Sequence, residues 1–516
     1  MFNKFFTLAV FCSLLITQAI LASVARAAQY PAFAHEIAAR ADTGEYAIAY
    51  VGPSRNNQQI RLINPDGGND RLLWQAPTGT PRESGIGELS WRSDAGEVAF
   101  DSAHDWQRSL YTRDIYGVAA NGATLRRLTR PPLPSGTYPT GTVTFWLSSY
   151  ASGDVQLYIE GADKPISFPA KLGYSYQITQ TVADLGDNVR QFIRLYDPND
   201  LTPNWCNYNE EAWVDVVAGQ VTDAGTVRFG VADDYTCPQV IRPAWLHNGS
   251  ELIFLAAEAT TTSFQEENNI WRIAAEAPAT SPGTSVLDYS QYLLEGRVFL
   301  AKPGPTAATA GQLLAAVKED LGHASVFRAP IDDAGQREFF DLGACDLTCL
   351  VTGLAWLPDG SGFVFARYEE WIGASGIEKG SALYRYTFND QQVTPLYQIA
   401  NQSIGRLDLA PDGGQIVFEQ STQLDQTTAN FWLEPLLLCP CQIWIVNSDG
   451  SDAHLLVNDG RAPAWSPAPL STAPTPTPVI TPVVTPTPVV TPVVTPAPTV
   501  DPGQGNVRLY IPIVKQ

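Results

Sequence analysis

One short pattern recurs along this chain. An apolar strand, usually closing on tryptophan, meets a tight Asp-Gly or Asn-Gly turn, and a second apolar strand follows. Residues 87–100 (GELSWRSDAGEVAF), 243–254 (PAWLHNGSELIF), 354–365 (LAWLPDGSGFVF) and 407–418 (LDLAPDGGQIVF) are four copies. Ala464-Trp465-Ser466-Pro467 is a fifth, cut off after its first strand. Asp-Gly and Asn-Gly supply the positive φ that short hairpin turns need. A second half follows the first: residues 114–122 (DIYGVAANG) lead into 125–129, 442–450 (QIWIVNSDG) into 454–457, and 59–67 (QIRLINPDG) into 71–74. Each unit therefore holds four short strands, apolar enough to be buried between neighbouring sheets. A unit of this kind cannot cover its own faces, so the units must stack on one another.

Stacked four-strand units describe a β-propeller. The pattern Trp-Ser-Pro-Asp-Gly, then an apolar strand, then Ile-Tyr-Val with a later Asp-Gly, resembles the WD40-like repeat of the TolB-like propellers. The resemblance covers residues 44–130 and 238–467. Ser93 and His247 stand where the repeat has proline, and the unit at 295–342 keeps only fragments. The mixed-fold N-terminal domain of TolB has no counterpart, so the resemblance is to the propeller alone. Units begin near Glu45, Leu89, Ala244, Val298, Leu354 and Leu407, which predicts six blades. Residues 46–51 supply the second strand that the half copy at 462–467 lacks. Pairing the two ends would close the ring and remove its open edges.

More than a hundred residues separate Leu128 from Ala244. Within them Val143, Phe145 and Leu147, then Val155, Leu157 and Ile159, then Tyr174, Tyr176 and Ile178, alternate with polar residues. Val214 and Val216, and Val227, Phe229 and Val231, continue the pattern. An antiparallel β-sandwich of seven or eight strands, over 139–236, is the expectation. The fold class is thus all-β: a six-bladed propeller carrying an inserted sandwich, with blades 1–2 in 44–130 and blades 3–6 plus the closing strand in 238–467.

The ends read differently. Lys4, the apolar run 5–22 and the small-residue site Ala25-Arg26-Ala27 make residues 1–27 a secretory signal, and 28–43 a lead-in. Residues 471–502 are a Thr/Pro repeat, which fixes φ, removes amide donors and predicts an extended stalk that could reach on the order of 100 Å. Residues 503–516 are a short apolar tail, too short to span a bilayer. The expected location is secreted or cell-surface. Cys12 leaves with the signal, and six cysteines remain: Cys206, Cys237, Cys345, Cys349, Cys439 and Cys441. An even count in an exported chain favours disulfides. Cys206–Cys237 and Cys345–Cys349 are the nearest pairings, while Cys439 and Cys441 could instead pair with Cys345 and Cys349. A four-cysteine zinc site from the last four is the alternative.

The chain carries 53 acidic against 32 basic residues, a net charge of −21. Nucleic acid and anionic lipid are poor partners for such a surface. The sequence holds no G-x-S-x-G elbow, H-E-x-x-H, P-loop, dinucleotide fingerprint or Asp-rich calcium loop. No catalytic residue, cofactor or metal is assigned. Asp101, Asp105 and Asp114, with His104, and separately Glu369 and Glu370, are the carboxylates from which a glycosidase or lyase pair could be built. Trp205, Tyr208 and Trp213, with Trp146 and the amides and carboxylates of 204–211, are candidates for stacking on sugar. The expectation is a monomeric, non-enzymatic recognition scaffold with a protein or cell-envelope polysaccharide as partner. A carbohydrate-binding or carbohydrate-active protein is the alternative.

Overall fold

The structure is a computed structural model. It describes residues 46–470 apart from 55–57, 81–84, 132–137, 150–151, 187–188, 197–212, 230–235, 261–268, 278–283, 288–296, 319–323, 334–335, 345, 375 and 422–439. The expectations for the signal, stalk and tail lie outside these residues. Nearly every regular element is a strand, and no described helix is long and apolar enough to cross a membrane.

Six four-stranded antiparallel sheets form the blades. Blade 2 runs Ile86–Trp91, Glu97–Ser102, Asp114–Ala119, Leu125–Arg127. Blade 3 begins at Thr236–Trp245, blade 4 at Arg297–Pro303, blade 5 at Thr348–Trp356 and blade 6 at Ser403–Leu409. Blade 1 draws on both ends of the ring: its first strand is Arg461–Trp465, paired Ile48↔Trp465 and Ala49↔Ala464 with Ile48–Gly52, and followed by Gln59–Ile63 and Arg71–Gln75. The six first strands lie against one another in the cyclic order of blades 1 to 6 and back to 1. Every blade is thus paired internally and covered on both faces.

The repeat residues explain how the blades lock. In the turns, Asp359 Oδ1 accepts the Ser361 amide at 2.9 Å and Asp412 Oδ1 the Gly414 amide at 2.7 Å, with Gly360 and Gly413 at φ +75° and +72°. The repeat tryptophan reaches across a seam. Trp91 Nε1 donates to Ala464 O at 3.1 Å and Trp356 Nε1 to Lys302 O at 2.8 Å, each on the preceding blade. The first-strand backbone donates the same way, back to the preceding blade: Trp245 N to Ser90 Oγ at 3.1 Å and Trp465 N to Asp408 Oδ2 at 2.8 Å.

All six first strands carry a register shift at the same place: at Gly87-Glu88, Arg242-Pro243, Phe299, Thr352, Gly405-Arg406 and Ala462-Pro463. A β-bulge of this kind re-aims side chains. Gly87 is required at one of them, because a Cβ there would fall 2.0 Å from Asp101 Oδ2.

Between blades 2 and 3, two sheets enclose a separate core of Val143, Phe145, Leu147, Leu157, Ile159, Ile193 and Val214. One sheet is ordered Ile166–Ala170, Gly153–Ile159, Arg190–Tyr196, Trp213–Asp215; the other is Ser175–Ala183, Thr140–Ser149, Val221–Phe229. Its last pair runs parallel, where the sequence reading had every pair antiparallel. The chain crosses from the first sheet through 216–220 and enters beside the start of Thr140–Ser149, with Thr142 N donating to Gln220 O at 2.8 Å. It must therefore run in the same direction as that strand.

Candidate functional site

The acidic loop residues of blade 2 separate into two environments. Asp101 belongs to the propeller axis. It accepts Arg113 Nη2 at 2.8 Å and the backbone amides of Glu88 (2.9 Å) and Arg242 (3.2 Å). Asp105 and Asp114 are brought together around Arg127, whose Nη1 lies 3.9 Å from an oxygen of each. Asp114 is buried and also accepts Thr129 Oγ1 at 2.8 Å. Burial pushes both carboxyls up, against the pull of Arg127. His104 packs between Trp74 and Tyr116, with ring centroids 5.1 and 4.3 Å away, and burial with the Arg127 and Arg113 charges pushes it down to about 4. The Arg127 guanidinium is a shared ion-pair partner of the two carboxylates.

Glu369 and Glu370 are not brought together. They are successive strand residues and point to opposite faces. Glu369 pairs with Arg367 at 2.7 Å and accepts Tyr384 Oη at 2.6 Å, whereas Glu370 pairs with Lys379 at 3.0 Å and accepts Tyr368 Oη at 2.7 Å.

Apart from Asp101, the buried charged cluster at the axis was not singled out by sequence reasoning. Glu88 Oε1 forms an ion pair with Arg242 Nε at 3.1 Å and accepts Arg406 Nε at 3.0 Å, tying blades 2, 3 and 6 together at the axis. Glu419 Oε2 accepts the Ala462 amide at 3.0 Å and lies 4.0 Å from Arg406 Nη1. Burial raises the Glu88 carboxyl, but Arg242, Arg406 and Lys302 outweigh it and hold it at about 2. Burial, with Arg406 close by, pushes Arg461 down to about 10. Glu88, Arg242, Arg406 and Arg461 all sit at or beside the bulges, which is why they point inward. The signal available in the sequence is a charged residue a few positions before the strand's end in Gly-Glu-Leu-Ser-Trp, Arg-Pro-Ala-Trp, Gly-Arg-Leu and Arg-Ala-Pro-Ala-Trp.

Of the aromatic candidates, Trp205 and Tyr208 lie outside the described residues. Trp213 is half-buried on the last strand of its sheet, with Arg130 5.4 Å from its ring centroid. Arg130 also stacks on Phe192 at 5.5 Å and pairs with Glu160 at 2.6 Å. Arg194 donates to Leu110 O at 2.7 Å, and Trp106 meets Tyr196 edge-on at 5.7 Å. These contacts fasten the insert to the long loop of blade 2. Trp213 is part of that fastening.

Cys349 and Cys441 are each disulfide-bonded, so neither offers the thiolate a zinc site requires. Cys206, Cys345 and Cys439 lie outside the described residues, and so does the side chain of Cys237. Among the described residues no three His, Cys, Asp or Glu side chains are grouped to hold a metal. A cavity of about 230 Å³ opens between blades 3 and 4, lined by His247, Asn248, Glu251, Arg272 and Asp332 among others. Its Arg272 is held by Asp332 at 3.0 Å.

The architecture is that of a six-bladed β-propeller. Solved structures similar to it include TolB from Acinetobacter baumannii, at 12% identity and a TM-score of 0.42 over 83% of this chain and 67% of that one. A chain of a nidogen/laminin complex is 8% identical, with a TM-score of 0.39 over 82% and 98%. An oligogalacturonate lyase in complex with manganese is 12% identical, with a TM-score of 0.33 over 72% and 76%. No family model and no curated protein matches the chain. Identities this low concern the fold alone.

Proposed function

We propose that this protein is an exported recognition scaffold. The propeller is the mount and the insert presents a binding surface to a protein or cell-envelope polysaccharide. The observation that carries the reading is the fastening of the insert to blade 2 through Arg130–Glu160, Arg194–Leu110 O and Trp106–Tyr196. A module tethered by a flexible linker needs no such seam; one that must hold a fixed direction does. The carboxylates considered for catalysis are committed to structural pairs, which favours binding over turnover. Residues 1–27 support export, the Thr/Pro run 471–502 supports a stalk, and the disulfide-bonded Cys349 and Cys441 suit an oxidising compartment.

The test uses the full chain. Source-cell fractions are probed for the mature protein, and the purified protein is incubated with envelope extract. Recovery at the cell surface or in the medium, with a ligand retained chemically unchanged, is the expected outcome. Cytoplasmic recovery, or rising reducing ends from a polysaccharide, would overturn the reading.

A further inference from the structure

The solvent face of the insert's three-stranded sheet has an unusual composition. Along Thr140–Ser149 the burial alternates residue by residue: Val143, Phe145 and Leu147 face the core, and Thr142, Thr144, Trp146 and Ser148 face outward. The register places Ser175, Gln177, Thr179 and Thr181 beside them on one side. Val221, Asp223, Thr226 and Arg228 lie beside them on the other. Across the strands the rows read Thr181–Thr142–Val221, Thr179–Thr144–Asp223, Gln177–Trp146–Thr226 and Ser175–Ser148–Arg228. With strands ~4.8 Å apart and same-face residues ~6.8 Å apart, the strip is about 10 Å wide and 20 Å long.

Seven of these twelve side chains are hydroxyls, one is an amide and one is an indole. Ser148 and Ser175 hydroxyls lie 3.3 Å apart, and Thr179 Oγ1 donates to Thr144 Oγ1 at 3.5 Å. Each hydroxyl both donates and accepts, so the strip can match hydroxyls of either polarity. Trp146 is half-exposed in the middle of it, on the face opposite the insert's core. An indole in that position is not placed by core packing. One acid and one base leave the strip uncharged overall, in a chain with 21 more negative than positive groups.

We propose that this strip binds a neutral polysaccharide chain, with one sugar face stacked on Trp146 and the Ser, Thr and Gln side chains meeting hydroxyls on either side. The proposal rests on the recognition reading above and names its ligand class. Charge decides the class. A polyanion would meet the field of an acidic protein, and a protein partner would need the apolar centre that this strip lacks. An extended glycan has the right length, a ring face for the indole and no charge to neutralise.

The test takes the full chain as wild type, Trp146→Ala, Trp146→Phe and the double variant Thr144→Val with Thr179→Val. The probes are neutral glucan and mannan polysaccharides, with polygalacturonate as the anionic comparison, followed by affinity electrophoresis and calorimetry. Circular dichroism and urea midpoints check that each variant folds. The expected result is binding of a neutral polysaccharide that Trp146→Ala weakens about tenfold, the loss of one stacked aromatic contact. Trp146→Phe should keep most of the binding, and the threonine pair should lose several-fold. No neutral polysaccharide bound, equal binding by wild type and Trp146→Ala, or preference for polygalacturonate would each overturn the proposal. An envelope ligand captured equally by wild type and Trp146→Ala would overturn this strip and leave the scaffold reading standing. Capture of nothing by any form would overturn both.

Discussion

Replacing Glu88 by Gln should show how much of the ring's stability is held at its axis. One oxygen of Glu88 takes both Arg242 Nε and Arg406 Nε, and the three side chains are 6%, 3% and 7% exposed. Glutamine keeps the shape and removes the charge, leaving two buried guanidiniums without the carboxylate. Removing one partner of a buried pair costs about 3–5 kcal/mol. The carboxyl gives an independent figure. It is held at about 2 against an ordinary 4.5. At about 1.4 kcal/mol per unit of pKa, that is roughly 3 kcal/mol. The folded value is the depressed one, so this stability is complete above pH 4.5. It falls as the pH passes down through 4.5 towards 2, and is gone below that. The assay is urea unfolding of wild type and Glu88→Gln, followed by tryptophan fluorescence at pH 7 and at steps down to 2.5. The expected difference is about 3 kcal/mol at pH 7, shrinking through the acid window. A difference under about 1 kcal/mol at pH 7, or one that does not change with pH, would refute the argument that this carboxylate neutralises the axis.

Three further outcomes follow from named contacts. His104 is pushed down to about 4 from 6.5, so the folded state resists its protonation and stability falls as pH drops from 6.5 towards 4; His104→Phe, which keeps a ring between Trp74 and Tyr116, should flatten that part of the urea-stability profile. Trp356→Phe removes the indole donation to Lys302 O across the blade 4–5 seam and should lower unfolding free energy by about 1 kcal/mol, with no change in far-ultraviolet circular dichroism. Arg130→Ala leaves Glu160 without its guanidinium and Phe192 and Trp213 without their cation. Hydrogen exchange should then quicken across residues 140–229 while the blades keep their protection, and unchanged exchange in the insert would show that Arg130 does not hold the seam.

The sequence exposed the ring through residues whose roles are local. Asp359 and Asp412 bind amides two residues on, and Gly360 and Gly413 take positive φ, so their turns are readable wherever they occur. The alternation of Val143, Phe145 and Leu147 is equally local, and it marks a half-buried strand. What the sequence obscured are the contacts that depend on closure. Glu88 and Arg406 meet only because closure sets blades 2 and 6 on either side of blade 1 at the axis, more than three hundred residues apart in the chain. The parallel pairing of Val221–Phe229 depends on which end of the insert the chain re-enters, and no periodicity encodes that. Glu369 and Glu370 were adjacent in sequence and looked like a pair. A strand's two-residue period put them on opposite faces.

These observations also bear on where binding can occur. In a ring the axis is the natural concave site, since six first strands converge there and each bulge aims a side chain inward. Here four of those bulges deliver Glu88, Arg242, Arg406 and Arg461, and second-strand residues Asp101 and Glu419 complete the cluster. All six side chains are buried. A ligand entering the axis would have to displace ion pairs whose partners would then be stranded in a medium that penalises charge. The rim carries no such cost, and the insert is the element added to it. Its core side is sealed by Val143, Phe145 and Leu147. Its seam is occupied by Arg130, Arg194 and Trp106, and its outward strip keeps hydroxyls and an indole in water. Binding on that strip requires no buried contact of the ring to be broken, so the mount can stay rigid while the strip engages its ligand.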